Sequence, residues 1–417
     1  MLNKDGQREL AYVVVIDAIQ PIEGYDRVET AIVGGWHVIV QKDQFKPGDP
    51  AIYFEIDSKV PKDKECFAFL EKRNYKIKTL KMCKTISQGL LMHADDFGWK
   101  SLPSMIGFDG ADAEACIVDD KDNYHYPNDE SRFLTKKLGI TYAEAEDNER
   151  KSAPVDKYKK MAQRHPKVFK KPFVRWLMKH TWGRKLMFLF FGKKKDKKNG
   201  WPEWVSKTDE ERIQNMPWIL NDTGEWIVTE KIDGSSTTFT MKRDKHNKFN
   251  FYVCSRNVCF DTIDKPCYYE TNIYWEMAQK YDMYNVLKDL FNNLPEAEWI
   301  TIQGETYGAG VQRRDYSLEG HDFMAFNLIT SSLGRWNSCA MKNILEYGYN
   351  IPCVPILESP FTFDQLPEED RMEAILKMAE GESAIDKKPR EGLVLRSTDG
   401  QKSFKVVSNS YLLKYHG

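Results

Sequence analysis

The stretch Trp226-Ile-Val-Thr-Glu-Lys231-Ile-Asp-Gly-Ser-Ser236 constrains this chain more than any other. A β-branched run ends on Glu230 and Lys231, a tight Asp-Gly-Ser-Ser connection follows, and Thr237-Thr-Phe-Thr-Met241 resumes strand character. Trp226, Val228 and Glu230 alternate with Ile227, Thr229 and Lys231, which predicts a hairpin with Lys231 at a strand end. Backbone pairing holds a lysine in that place more rigidly than a loop would, as a nucleophile requires. A solvated lysine beside an ordinary turn has the same local signature, so the rest of the chain decides between the two.

At 417 residues there is room for roughly two or three domains with ample core. No apolar run reaches the length of a membrane span, and the opening Met-Leu-Asn-Lys-Asp-Gly is polar. An intracellular protein, cytoplasmic or nuclear and without a membrane partner, is therefore expected. The cysteines Cys66, Cys83, Cys116, Cys254, Cys259, Cys267, Cys339 and Cys353 show no Cys-x-x-Cys spacing. Reduced thiols and no zinc site are expected. Net charge is −1, yet residues 151–200 carry 14 Lys and 3 Arg against 2 Asp, leaving that window at +15 and the remainder at −16. Such asymmetry suits either an anionic partner or a solvated linker.

Short strands are predicted at Tyr12–Ile16, Val28–Val33, Trp36–Val40, Ala51–Ile56, Tyr75–Leu80 and Ile86–Met92, separated by Gly- and Pro-rich turns. This spacing resembles a small OB-like β-barrel over 1–100. Residues 101–200 form a connecting region, acidic and then basic, with helices expected at 143–151 and in the aromatic-cationic stretches 168–180 and 182–191. Core-packing helices with a basic face, a nucleic-acid surface and a membrane-surface helix all fit those stretches. Residues 201–417 read as an α+β domain with a mixed, mostly antiparallel sheet. Its expected elements are a helix starting at Lys207–Asn215 with Thr208 as N-cap, strand 249–255 and helix 270–291. Strands 298–304 and 322–329, helices 336–347 and 369–379, and strands 392–397 and 403–407 follow.

Four segments follow Lys231-x-Asp233-Gly234 in a telling order: Gly304-Glu305, the Phe326 segment, Glu391-Gly-Leu-Val394 and Phe404-Lys405. Their order and type resemble the motif set of covalent nucleotidyltransferases, the nucleic acid ligases and capping enzymes with an ATP-grasp-like ligase domain. Pro21–Glu29, Gly48–Asp57, Thr208–Asn215 and Ser403–Asn409 are similar to the ATP-dependent RNA ligases that place an OB domain in front, the group known from Deinococcus and Naegleria. That resemblance covers most of the chain outside 95–200.

The resemblance implies a lysyl-AMP on Lys231, with ATP and Mg²⁺ or Mn²⁺ as cofactors and RNA as the partner of an expected monomer. It implies that Asp233 and Glu391 hold the metal through its waters, assisted by Asn257. Glu305 would contact the ribose or a metal water, and Phe326 would stack on adenine, beside Glu230. Lys405 would neutralise the α-phosphate. Arg256 would contact the nucleotide or the 5′-phosphate, and Arg212 the ATP tail. Related ligases often carry two lysines one residue apart in the last motif, whereas Val406 and Val407 follow Lys405 here and Lys402 is the nearest alternative.

The chemistry explains the company Lys231 keeps. A lysine at its reference pKa is neutral in only about one molecule in 2,500 at pH 7, yet attack on phosphorus needs the neutral amine. A divalent cation and a second lysine push the pKa down, and carboxylates are needed to gather that cation beside an anionic substrate. Two other readings remain: an ATP-dependent DNA ligase, and a non-catalytic RNA-binding protein with a decayed transferase domain. DNA ligases and capping enzymes usually place their OB domain after the last motif, whereas only a short segment follows Lys405 here.

Overall fold

The structure, a computed structural model, describes residues 1–106, 112–143, 174, 177, 200–260, 262–263, 267–269 and 271–415. Met1–Thr141 and Pro202–Gly417 form one compact unit and Tyr142–Trp201 another. The helices expected at 143–151, 168–180 and 182–191 lie outside the described residues, save Ala143, Val174 and Leu177, which are helical and buried.

The N-terminal part is the expected barrel. One antiparallel sheet pairs Ala11–Val15 with Pro50–Phe54 and Leu90–Met92, and a second pairs Ala18–Ile22, Tyr25–Val33 and Trp36–Gln41. Along Trp36–Gln41, Trp36, Val38 and Val40 point inward on alternate residues, where they meet Tyr12, Ala31, Ala51, Tyr53 and Leu91. The Gln88 N–H donates to the His37 carbonyl at 2.7 Å and the Ile39 N–H to Ser87 Oγ at 3.0 Å, which ties Trp36–Gln41 to the segment leading into Leu90–Met92. The strand expected at 75–80 is not formed. A 3₁₀ segment, Glu65–Arg73, ends in Asn74 and Tyr75 at φ 56° and 59°, and the only strand here is Leu80–Met82.

The C-terminal part is built on two antiparallel sheets. The larger has the order Cys259–Phe260, Phe249–Ser255, Ser235–Arg243, Trp299–Gly308, His321–Thr330, Gly334–Arg335. The smaller has the order Ile356–Phe361, Trp226–Lys231, Gly392–Ser397, Ser403–Val407. The predicted hairpin at Lys231 is therefore corrected. Trp226–Lys231 takes both its partners from the smaller sheet, Ser235–Arg243 takes both of its own from the larger, and Ile232-Asp233-Gly234 crosses between them. Gly234 passes so close to the neighbouring strand that a Cβ would lie 2.4 Å from the Thr306 carbonyl oxygen.

Helices Ile273–Lys280 and Met283–Asn293 cover one face of the larger sheet, burying Met277, Leu287 and Leu290 against Phe239, Ile300 and Phe323. The single helix expected over 270–291 is broken at Asp282, which adopts φ 45°. Helix Arg371–Ala379 covers the smaller sheet, where Ile375 meets Trp226, Leu395 and Phe404. One further expectation fails, and another holds with a change of helix type. Residues 207–211 are extended, because the Lys405 N–H donates to the Glu211 carbonyl at 2.7 Å and Arg212 bridges Lys405 in parallel. A helix there would withdraw those main-chain groups from the sheet edge. The 336–347 helix is short, Ser338–Lys342, and opens into a wider turn over Asn343–Gly348. Strand Ile356–Phe361 and helix Asn409–Tyr415 were not anticipated.

Among the described residues no helix is long and apolar enough to cross a membrane. Trp226 is fully buried, its ring 5.4 Å from both Phe363 and Phe404. Trp226→Ala is expected to lower the unfolding free energy by about 3–5 kcal/mol. A urea midpoint unchanged from the parent's would refute this role for the ring.

Candidate active site

Strand alternation puts the functional side chains of the smaller sheet on one face. Thr229 lies opposite Val394, Val394 opposite Lys405, and Lys231 opposite Gly392. These residues face away from the Trp226, Leu395 and Phe404 core and, with Arg396, form one wall of a cleft. The larger sheet supplies the other wall through Ser236, paired opposite Glu305, and through Phe326. Thr208, Asp209 and Glu210 close one side, and Ile232, Val354 and Val394 give an apolar floor to a cleft of about 320 Å³.

Gly392 sets the depth of this arrangement. Its φ is +154°, and a Cβ there would lie 2.0 Å from the Val406 carbonyl oxygen. Only glycine lets the strand pass this closely, so that Glu391 reaches Lys231. Lys231 Nζ donates to Glu391 Oε2 at 2.8 Å, with 24% and 12% of the side chains exposed.

Electrostatics divides the site into opposed groups. Burial acts to lower the Lys231 pKa, but Glu391, Glu305 and Asp233 outweigh it, and the net shift is upward. The protein's own groups thus hold Lys231 charged, the reverse of the shift its nucleophilic role requires. Lys405 goes the other way: burial, with Lys231 and Arg212 nearby, pushes it down to about 8. Burial also raises Glu305 to about 8, against the pull of Lys231 and with the help of Glu391 and Asp233.

Asp233, Glu391, Glu305, Lys405 and Lys231 are brought together as the sequence suggested. Asp233 is buried behind the cleft wall, its carboxylate accepting from Tyr411 Oη at 2.5 Å. Phe326 lines the cleft beneath the Arg396 guanidinium, 5.6 Å from its ring centroid. Glu230 Oε2 accepts from the Ala384 N–H at 2.8 Å, while Glu230 Oε1, also buried, has no hydrogen-bond donor among the described residues. Arg256 lines the cleft and pairs with Asp209 at 2.8 Å, both half-exposed. Two residues stand outside the cleft lining. Asn257 accepts from Lys207 Nζ at 2.7 Å outside the cleft lining, and Arg212 lies over the barrel's Trp36, 5.5 Å from its ring centroid.

Sequence reasoning missed Arg396 and Glu210, which pair at 3.1 Å. The i, i+2 spacing of Gly392, Val394 and Arg396 carried the signal for the arginine, because it places all three on the Lys231 face. Nothing in the local sequence marked Glu210.

The residues present fit a nucleotide. The apolar floor with Phe326 suits a base, and Lys405 and Arg256 suit phosphate. Among the described residues no group of three or more His, Cys, Asp or Glu side chains closes into a metal shell. The carboxylates spread around Lys231 instead suit a hard cation that keeps most of its waters.

An RNA ligase family profile matches residues 224–415, and an OB-fold domain profile matches residues 10–94. Among solved structures, the chain is similar to Naegleria gruberi RNA ligase with PPi at 26% identity and TM-score 0.60, over 98% of this chain and 99% of that one. An apo form of a variant of that ligase gives 26% identity and TM-score 0.62 over 98% of each chain. A further variant, with ATP and Mn, gives 26% and 0.60 over 98% and 99%. No curated protein matches. The ligase profile spans the strands that carry Lys231, Glu305, Glu391 and Lys405, and the similarity to the solved ligase runs nearly end to end: residues 224–415 are an RNA ligase domain, with an OB-fold domain ahead of it.

Proposed function

We propose that the chain seals RNA 3′-OH and 5′-phosphate ends at the expense of ATP, with nicks carrying an RNA 3′-OH strand as the preferred substrate. One observation carries this reading. Five separate segments bring Lys231, Glu305, Phe326, Glu391 and Lys405 to one cleft, with Lys231 Nζ 2.8 Å from Glu391. We assign residues 1–100 to the barrel, 101–200 to a connecting region and 201–417 to the adenylyltransferase domain, in an intracellular monomer, cytoplasmic or nuclear.

The chemistry runs in three steps. The neutral Lys231 amine attacks the α-phosphorus of ATP, a nitrogen–phosphorus bond forms, and the bond to pyrophosphate breaks. An oxygen of the 5′-phosphate of an RNA end then attacks the AMP phosphorus, forming a phosphoanhydride while the nitrogen–phosphorus bond breaks and the Lys231 amine is released. Finally a 3′-OH attacks that phosphate, forming the phosphodiester and releasing AMP. Phe326 and the apolar floor hold the adenine, and the Glu230 backbone runs beside it at the cleft lining. Lys405 and Arg256 balance charge developing on the phosphates. Asp233 and Glu391 would hold the divalent cation through its waters, and its charge supplies the downward push on Lys231 that the protein's own carboxylates oppose.

Lys231→Ala is expected to abolish transfer of label from α-³²P-ATP to the protein while leaving the fold intact. Retained labelling would sink the covalent reading. Nicked duplexes that differ only in the 3′-OH strand identify the substrate. Sealing that needs RNA at that position is expected, whereas equal sealing of all-DNA nicks would make this a DNA ligase.

Glu305 gives a stability prediction with a definite sign. Its carboxyl ionises near pH 8 in the fold against 4.5 ordinarily. Its stabilising contribution is therefore complete below pH 4.5 and is lost as pH rises through 8. Urea midpoints of Glu305→Gln should gain on the parent between pH 5 and pH 9, and parallel curves would exclude the buried, protonated carboxyl.

A further inference from the structure

We infer that Tyr411, on the helix Asn409–Tyr415, is a positioning residue that fixes the Asp233 carboxylate for the transfer chemistry proposed above, on which this inference rests. Tyr411 Oη donates to Asp233 Oδ2 at 2.5 Å, and both residues are buried. The main-chain N–H of Asp233 donates to Tyr316 Oη at 2.7 Å. Two tyrosines from different parts of the chain therefore hold Asp233, one by its side chain and one by its backbone.

Arg314 braces the pair. It is 1% exposed, and its Cζ lies 4.1 Å from the Tyr316 ring centroid and 5.7 Å from that of Tyr411. The guanidinium is itself pinned by the Asp386 carboxylate and by the Pro389 carbonyl at 2.6 Å. A buried cation stacked on two rings whose hydroxyls converge on one aspartate is more than those rings need for packing alone.

Asp233 needs such support because of where it stands. It occupies the crossing between two sheets, so no ladder fixes its side chain. A hydroxyl bound to Oδ2 selects one carboxylate orientation and determines which oxygen is left for other partners. The charge so placed is among those that act on Lys231.

The helix bearing Tyr411 is seated from two sides. Ser408 Oγ and the Asn409 N–H donate to the Glu380 carboxylate at 2.8 and 2.7 Å, and Arg313 donates to the Tyr415 carbonyl at 2.9 Å. Leu412 packs with Val407 and with Ile86 of the barrel. The position of Asp233 is thus tied to the barrel through a single helix.

Tyr411→Phe removes one oxygen and keeps the ring on Arg314. The single-turnover rate of lysyl-AMP formation is expected to fall by about 10–100-fold, as for other residues that orient a metal-site carboxylate. The decisive readout is a double-mutant cycle with Asp233→Asn. The loss caused by Tyr411→Phe should disappear in that background, because the hydroxyl then has no carboxylate to orient. The same fold-loss in both backgrounds would overturn the assignment, as would a Tyr411→Phe chain labelling at the parent's rate. General destabilisation by the variant would slow both backgrounds alike, so the cycle still decides. A parent chain that forms no lysyl-AMP would overturn the proposed function itself, an outcome distinct from a multiplicative cycle.

Discussion

The cleft depends on one close approach of backbone to backbone. Lys231 is paired opposite Gly392, and Gly392 opposite Val407, at a place where no side chain fits between the strands. Two consequences follow from that geometry. Glu391, one residue before the glycine, arrives within hydrogen-bond distance of Lys231. Lys405, two residues before Val407, falls on the same face of the sheet. Lys231 and two charged groups from segments more than 150 residues further along the chain are thereby fixed by main-chain hydrogen bonds, with side-chain torsions adding only the last few ångströms.

The charges so placed oppose one another in a useful way. The acidic groups Glu391, Glu305 and Asp233 around a largely buried lysine hold it protonated, while burial and that same lysine push Lys405 towards neutrality. Two adjacent lysines cannot both be comfortably charged at low dielectric, so the one with closer carboxylates keeps the proton. Nucleophilic attack reverses this preference at Lys231, and it must be reversed by positive charge that arrives with the substrates. Carboxylates that stabilise the resting ammonium are thus the same groups suited to attract that charge.

The barrel and the chemistry-bearing strands were legible because their signals are local: the period-two alternation of Trp36, Val38 and Val40 announces one strand, and the continuous apolar run Leu393-Val394-Leu395 another. The motif residues at the cleft were legible because each stands in or beside a predicted strand, in a fixed order along the chain. What the sequence hid is non-local. Lys231 and Ser235 look like two arms of a hairpin, since nothing within ten residues shows that their partners are Gly392 and Thr306. Thr208 and Glu211 have the spacing of a helix cap, yet the carbonyl of Glu211 is claimed by Lys405, nearly two hundred residues away. Tyr411 has no motif at all, and its role is visible only once Asp233 lies beneath it.

The segment that failed as a helix has its own mechanical consequence. Thr208 Oγ bonds Ser236 Oγ at 2.8 Å, and Gln303 Nε2 donates to the Ser206 carbonyl at 2.9 Å, both on the larger sheet. Glu210 pairs with Arg396 on the smaller sheet and also accepts from Ser403. The extended strap therefore ties the two sheets together along one side of the cleft, while the Asp233-Gly234 crossing ties them at its floor. A helix over the same residues would be shorter by more than half per residue and could not span both sheets. Extension is what lets five residues reach both walls, and the sheets outbid local helix propensity because they offer main-chain and side-chain partners together.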